Sequence, residues 1–482
     1  MNISQHDNQG FWSSRLLFVL AVTGATVGLG NIWRFPYMVS EYGGGLFILV
    51  YLFFIALIGI PVLMAEIMLG RMGRHSPITG LRIIAEQNGL SRHWQNLGWM
   101  ATIAGLLILS FYSVIAGWSI AFIFRMAAGV FDNVSAQGVS AIFGRLVGDP
   151  EKLLAWHTLF MMLVYVAVSR GLHAGLERTV KILMPALFLV LLLLLAYAIY
   201  SGHFTAGVQY MFSSPTEHLD SARGLGFAVL AAMGQAFFTL SLGAGAIMAY
   251  AAYLPRSVSI AGVAVTIVLL DTVIAITAGM IIFPLIFAND LGAVSFSNGL
   301  DARYGPGLVF QTLPLAFGQM PGGALFGSLF FVLLVLAAWT SAIALMEPSV
   351  AYLTERWAMK RRKAAKTISV IAWLIGLGTI FSFNIWSDYR PLSEIAIFSD
   401  KTTYHLLDFL ASNILLPLSG LLIIFFAGWK LSWKTTEDEL SMGKEYCGYA
   451  AWRIVARYIT PLLLIIVFIY SLSKALGRLA FP

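Results

Sequence analysis

Residues 24–36 read Gly-Ala-Thr-Val-Gly-Leu-Gly-Asn-Ile-Trp-Arg-Phe-Pro, inside an otherwise apolar segment long enough to cross a membrane. Three glycines in seven positions (Gly24, Gly28, Gly30) weaken a helix, because each lacks a Cβ and costs about 1 kcal/mol relative to alanine. In hydrocarbon a broken helix leaves bare N–H and C=O groups, tolerated only where they line a buried polar cavity. Asn31 and Arg34 set an amide and a fixed positive charge at the same depth. Such groups are costly inside a span and mark a binding site by default. The stretch therefore predicts a broken membrane helix whose gap holds a small polar or ionic solute.

The rest of the chain agrees with a membrane setting. Of its 482 residues 59% are hydrophobic and 11% charged, a composition that excludes a soluble globular protein. The net charge of +7 does not point to nucleic acid, because the basic residues fall in short connections between apolar segments, as topological anchors do. One cysteine, Cys447, leaves no intramolecular disulfide framework and no cysteine-based metal site. The polar residues 1–10 lack a basic leader pattern, so no cleaved signal peptide is expected.

Apolar segments fall at about 13–38, 43–69, 95–125, 154–170, 178–201, 224–253, 258–285, 324–354, 367–384, 403–428 and 452–476. Each approaches the ~20 residues that cross a ~30 Å core, which predicts an all-α polytopic membrane protein of about eleven spans. Basic residues crowd the even connections: Arg71, Arg74, Arg82 and Arg92 in the second, Arg170, Arg178 and Lys181 in the fourth, Lys360, Arg361, Arg362, Lys363 and Lys366 in the eighth. The odd connections 126–153, 202–223 and 286–323 are poor in them. The positive-inside rule then places the N-terminus in the cytoplasm. With an odd number of spans the C-terminus lies outside.

The sixth segment repeats the peculiarity of the first. Residues 234–245 read Gly-Gln-Ala-Phe-Phe-Thr-Leu-Ser-Leu-Gly-Ala-Gly. Two interrupted helices five segments apart predict an inverted repeat of five plus five helices, with the site at the midplane between the breaks. Half-helix N-termini offer N–H groups and a positive dipole to a carboxylate, and unwound carbonyls suit Na⁺. The expected organisation is a tail at 1–12, a first repeat at 13–201, a second at 224–428, and a loop, last span and C-terminal end at 429–482.

At this point the chain resembles the neurotransmitter:sodium symporter family, and its bacterial amino-acid transporters in particular. The residues that carry the likeness are Gly28–Pro36, Gly43-Gly-Gly45, Gly59-Ile-Pro-Val-Leu-Met-Ala-Glu66, Tyr112 with Trp118, Gln235 followed by Phe238–Gly243, and Ala337-Ala-Trp-Thr-Ser341. They cover about residues 10–430. The twelfth helix of longer members is not expected here.

The resemblance implies two sodium sites. One uses Thr26, Asn31, Thr239, Asp271 and the substrate's own carboxylate. The other uses the Gly24, Val27 and Ala337 carbonyls with the Thr340 and Ser341 hydroxyls. Oxygen donors of this kind suit a hard cation. The substrate carboxylate is expected on the N–H groups of Leu29 and Gly30, beside Gly28, and on the Tyr112 hydroxyl. Its ammonium is expected on the carbonyls of Thr26, Phe238 and Thr239, near Ser241. Ile108, Phe238, Ser241, Ala244, Ser341 and Leu345 line the side-chain space, which favours a neutral apolar side chain because an unpaired buried charge is costly.

Three positions depart from the family pattern. Ala244 stands where the leucine transporter has phenylalanine, which predicts a larger, aromatic or long branched substrate. Asp271 stands where chloride-dependent members carry asparagine, while Tyr51, Gln235 and Thr239 match the rest of their anion pocket and Ala275 replaces a serine. A fixed carboxylate beside the first Na⁺ predicts chloride-independent transport. At the inner gate Glu355 and Tyr253 match, but Gln9 replaces the expected arginine, leaving His6 or another group to substitute. The outer gate is expected as Arg34 facing Asp408 across Phe238 and Tyr112.

The resemblance implies that Glu66 holds backbone N–H groups at the sixth-helix break, with a proton-carrying site as the alternative. The basic cluster 360–366 is read as a solvated loop touching anionic lipid. No Gly-x-x-x-x-Gly-Lys loop is present, which argues against ATP-driven transport. No nucleophile–base or metal constellation argues for an enzyme. The expected function is Na⁺-coupled symport of a neutral, hydrophobic or aromatic L-amino acid across a bacterial-type plasma membrane. A proton-coupled carrier of the same architecture and a non-transporting amino-acid sensor stay open as alternatives.

Overall fold

The computed structural model describes residues 10–200, 203–213, 222–288, 307–441 and 448–475. Among these, nine uninterrupted helices are long and apolar enough to cross a bilayer. In chain order they are span 2 (Gly45–Gly73), span 3 (Arg92–Ala127), span 4 (Pro150–Ser169), span 5 (Leu172–Tyr200), span 7 (Ile260–Phe287), span 8 (Gly323–Trp357), span 9 (Arg361–Ser382), span 10 (Thr403–Lys430) and span 11 (Tyr449–Ser473). Span 1 is a broken pair, Arg15–Thr26 and Gly30–Glu41, bent by 59°. Span 6 is divided into Ala222–Phe238 and Ala246–Ala251. The two breaks fall where the glycine-rich stretches predicted them.

Several boundaries differ from the hydropathy reading. Span 5 begins at Leu172 and span 9 at Arg361, so Arg178, Lys181, Arg362, Lys363 and Lys366 ride on helices rather than on loops. Long basic side chains cover apolar surface with their stems while the charged head reaches water. Composition alone therefore trims helices too early at their basic ends.

The packing reveals the repeat. Span 3 packs on span 4 and span 8 on span 9; span 3 on span 9 and span 8 on span 4; span 5 on span 8 and span 10 on span 3; span 1 on span 7 and span 6 on span 2. Exchanging each span with the one five positions away maps every pair onto its mate, the signature of two intertwined five-helix repeats. Spans 3 and 8 cross at the centre, where Ala101, Ala104, Ala337, Ala338 and Ala342 are fully buried. Small side chains let helix backbones approach closely in a setting where lipid offers no hydrophobic drive between helices.

Candidate solute and cation site

In span 1 regular helix ends at Thr26, and Val27 is extended (φ −70°, ψ 105°). Asn31 then folds back: its Oδ1 accepts from the Gly28 N–H at 3.1 Å, occupying one of the donors that the new half-helix leaves free. In span 6 the break runs through Ser241 (φ +50°), Gly243 (φ +85°) and Gly245 (φ +73°). Gly243 is required twice over. Its φ lies in the left-handed region, and a Cβ there would meet the Leu416 carbonyl oxygen at 2.5 Å. Glu66, fully buried on span 2, accepts the Gly243 N–H at 2.7 Å, the role that the family resemblance implied.

Between the breaks lies a cavity of about 190 Å³. Thr26, Gly28, Leu29, Gly30, Ile108, Tyr112, Phe238, Thr239, Ser241, Ala244, Ser341 and Leu345 all border it. Nothing lies within 4 Å of where a Gly30 Cβ would sit, so that stretch of backbone faces open space. The Tyr112 hydroxyl accepts from the Leu29 N–H at 3.3 Å. Ala25, Arg34, Phe111, Gln235, Ser412 and Leu416 also border the cavity. Phe111 carried a signal, since it follows Ile108 by three positions on the same helix face. Ser412 and Leu416 carried none: they come from span 10, whose π-helical turn at Phe409–Leu415 has no glycine to betray it.

Two groups of oxygen atoms flank the cavity. On the first side Asp271, fully buried, accepts from the Thr239 hydroxyl at 2.9 Å, while Asn31 Nδ2 donates to Thr239 Oγ1 at 3.0 Å. Asp271 Oδ1 is buried without a hydrogen-bond partner, and among the described residues no Lys, Arg or His forms an ion pair with Asp271. A buried carboxylate uncompensated by the protein is costly, and its free oxygen, on a carboxylate already bonded to the Thr239 hydroxyl, fits a small hard cation. On the second side the Ser341 hydroxyl lies 3.2 Å from the Gly24 carbonyl oxygen, 3.1 Å from that of Val27 and 3.1 Å from that of Ala337. The Thr340 hydroxyl adds a fifth oxygen, 3.0 Å from the same Ala337 carbonyl. One hydroxyl proton cannot serve three carbonyls, so this cluster carries surplus acceptors, again the chemistry of a cation site.

Above the cavity, Arg34 stacks on the Phe238 ring, its Cζ 4.7 Å from the centroid. Beyond it a second space of about 400 Å³ is bordered by Arg34, Phe238, Lys401, Asp408, Ser412 and Tyr470. Arg34 and Asp408 do not close on each other: no ion pair within 4 Å joins them among the described residues, and Asp408 instead accepts from the Ser412 hydroxyl at 2.8 Å. The expected outer pair thus flanks a vestibule rather than sealing it.

The opposite end is tied together, but by a different set than the sequence suggested. Tyr253 does not hydrogen-bond Glu355; its hydroxyl donates to Glu347 at 3.3 Å. Glu347 is fully buried and holds Arg361 through two hydrogen bonds of 3.0 and 2.5 Å. Glu355 is satisfied by the Ser76 N–H and hydroxyl at 2.7 and 2.6 Å. The deeper carboxylate, already fixed by a guanidinium, is the better placed acceptor for the tyrosine. Trp12 Nε1 donates to the Tyr250 carbonyl at 2.9 Å, and Glu177 receives both the Ser13 N–H and hydroxyl at 2.7 Å. Gln9 and His6, invoked for this gate, lie outside the described residues, as does Cys447.

A membrane bundle of two intertwined repeats, with a solute-sized cavity and oxygen-rich pockets between two broken helices, defines a transporter of the leucine-transporter fold. Comparison with known proteins agrees. The chain belongs to the sodium:neurotransmitter symporter family, whose profile matches residues 9–131 and 147–479. It is similar to the uncharacterized sodium-dependent transporter YhdH of Bacillus subtilis, 34% identical over 95% of this chain and 96% of that one. At greater distance it resembles the human sodium- and chloride-dependent GABA transporter 2, 23% identical over 97% of this chain and 80% of the other. Among solved structures it matches MhsT in complex with L-phenylalanine, with a TM-score of 0.82 and 37% identity over 96% of this chain and 99% of that one. The protein is therefore a multi-pass, sodium-dependent membrane transporter and not an enzyme.

Proposed function

We propose that the protein is a Na⁺-coupled symporter of a neutral, hydrophobic or aromatic L-amino acid, that two Na⁺ ions travel with the substrate, and that chloride is not required. The observation that carries this reading is the enclosure of one cavity by both breaks, with cation-compatible oxygen clusters on two sides. In this reading the Leu29 and Gly30 N–H groups and the Tyr112 hydroxyl receive the carboxylate. The carbonyls of Thr26, Phe238 and Thr239 at the two breaks receive the ammonium, a donor-only group. Ile108, Phe111, Ala244, Leu345 and Leu416 leave an apolar space for the side chain. L-phenylalanine in the related MhsT structure supports the same class of substrate.

Asn31, Thr239 and Asp271 would hold the first Na⁺ next to the substrate carboxylate, and the Gly24, Val27, Ala337, Thr340 and Ser341 oxygens the second. Asp271 supplies the negative charge that a chloride ion would otherwise bring. Since ion and solute share a boundary, each raises the other's affinity by the same factor. Alternating access follows from opposed closures. The vestibule of Arg34 and Asp408 faces outward, while Trp12, Tyr253, Glu347 and Arg361 seal the cytoplasmic side of a bacterial-type plasma membrane, the end that carries the basic residues.

Equilibrium binding of labelled L-phenylalanine to the purified transporter tests this. Binding should require Na⁺, persist when gluconate replaces chloride, and yield to tryptophan and leucine but not to glutamate. Binding unchanged in choline would overturn the sodium assignment, and a chloride requirement would overturn the role of Asp271.

A further inference from the structure

Spans 10 and 11 meet at the basic-loop end of the molecule. Each carries a π-helical turn at the contact, Phe426–Lys430 and Val455–Ile459. Such turns inside helices recur at functional sites. Gly428 permits the approach: a Cβ there would sit 3.1 Å from the Ala456 carbonyl oxygen and 3.3 Å from Arg457 Cα. Trp429 Nε1 donates to the Arg457 carbonyl at 2.7 Å, fixing the indole against span 11. The Arg457 guanidinium then lies on the Trp429 ring, 4.3 Å from its centroid, with the Tyr458 ring at 5.6 Å.

This arrangement spends only the faces of the guanidinium. Among the described residues no carboxylate forms an ion pair with Arg457, and its Nε is buried with no acceptor. Lys430 is exposed, its Nζ 5.6 Å from the Phe425 ring, which itself stacks on Trp429 at 6.2 Å, and it has no ion-pair partner among the described residues. Two acids of the connection between spans 10 and 11 are engaged elsewhere: Glu437 accepts from Trp433 Nε1 at 2.6 Å and Glu439 pairs with Arg71. A guanidinium held against aromatic rings, with no carboxylate paired to it among the described residues, offers donors that match a phosphate. Trp429 and Tyr458 are 43% and 55% exposed, and such half-exposed aromatics at span ends sit at headgroup level.

We propose that the crossing of spans 10 and 11 is a binding site for an anionic glycerophospholipid, with Arg457 and Lys430 taking the headgroup phosphate and Trp429 and Tyr458 walling it. The site is separate from the solute cavity and from the basic cluster at 360–366. A tethered lipid here would brace the end of span 10, whose other half supplies Ser412 and Leu416 to that cavity.

Native mass spectrometry of the full-length transporter in detergent, titrated with phosphatidylglycerol and separately with phosphatidylcholine, tests the proposal. The wild type should retain one phosphatidylglycerol in preference to phosphatidylcholine. The Arg457→Gln/Lys430→Gln variant should lose that affinity at least tenfold, and Arg457→Lys, which keeps charge but not the guanidinium, should fall between. The Arg178→Gln/Lys181→Gln variant removes equal charge from the same end of the molecule and should bind as wild type. Na⁺-dependent amino-acid binding retained by every variant shows that each is folded. Equal loss in the Arg178/Lys181 control would reduce the effect to general attraction and overturn the site. So would undiminished binding by the Arg457/Lys430 variant, or displacement of the lipid by inorganic phosphate at equal concentration, which would make it a free-phosphate site.

Discussion

Asp271 is the residue on which the ion chemistry turns. It is fully buried, bonded to Thr239 through one oxygen and unpartnered at the other. Replacing it with asparagine keeps the shape and an acceptor for Thr239 but removes the charge. Asp271→Asn should therefore raise the Na⁺ concentration needed for half-maximal amino-acid binding at least tenfold, about 1.4 kcal/mol, as read by Na⁺ titration of labelled phenylalanine binding. Ala244 belongs to the same scale. Filling that position with Ala244→Phe should shift competition away from tryptophan and toward smaller amino acids, and an unchanged ranking would show that the space is not used by the side chain. Ala244 was legible because it borders the Phe238–Gly243 motif, and Asp271 only through the family resemblance. Glu347 was not, since a glutamate before Pro348 looks like an ordinary helix residue until Arg361 is folded onto it.

The break of span 6 is an element whose shape depends on one backbone position and one buried carboxylate. Gly243→Ala would force a side chain into a left-handed conformation and against the Leu416 carbonyl. Strain of this kind costs on the order of 1–3 kcal/mol, so a lower thermal midpoint and loss of amino-acid binding are expected together. Glu66→Gln keeps an oxygen for the Gly243 N–H and should be mild, whereas Glu66→Leu strands a buried donor at about 1–3 kcal/mol. Size-exclusion thermostability of the purified variants separates the two. The elements themselves were readable, and so were both breaks, because glycine and polar residues interrupt an apolar run only for a reason in hydrocarbon. Their ends were not, because basic residues at Arg178 and Arg361 look like loop until the helix is seen to continue through them. The π-helical turn at Phe409–Leu415 of span 10 was invisible, as it uses no residue that a regular helix avoids.

At the scale of the whole molecule, the account requires that one end be closed while the other is accessible. The vestibule bordered by Arg34 and Asp408 is continuous with residues of the cavity, while Glu347, Arg361, Tyr253 and Trp12 tie spans 1, 6, 8 and 9 together at the opposite end. Arg361→Ala would leave Glu347 buried without its cation, and breaking such a pair by removing one partner costs about 3–5 kcal/mol. The variant should expose the cytoplasmic half of span 6. Thiol labelling of Ala251→Cys, a fully buried position, in a Cys447→Ser background should speed up several-fold. Adding Glu347→Gln should restore slow labelling in part. The repeat that makes this rocking possible was predicted from two breaks five segments apart, but its proof needed packing, since the two halves share no readable sequence period.

The central claim is that sodium drives an amino acid through this site. Labelled phenylalanine uptake into proteoliposomes, with an inward Na⁺ gradient and then with choline in its place, tests it most directly. Concentrative uptake that needs Na⁺, survives replacement of chloride by gluconate, and collapses in Asp271→Asn at low Na⁺ is the predicted result. Uptake of the same size in choline, or binding with no accumulation at any Na⁺ gradient, would contradict it.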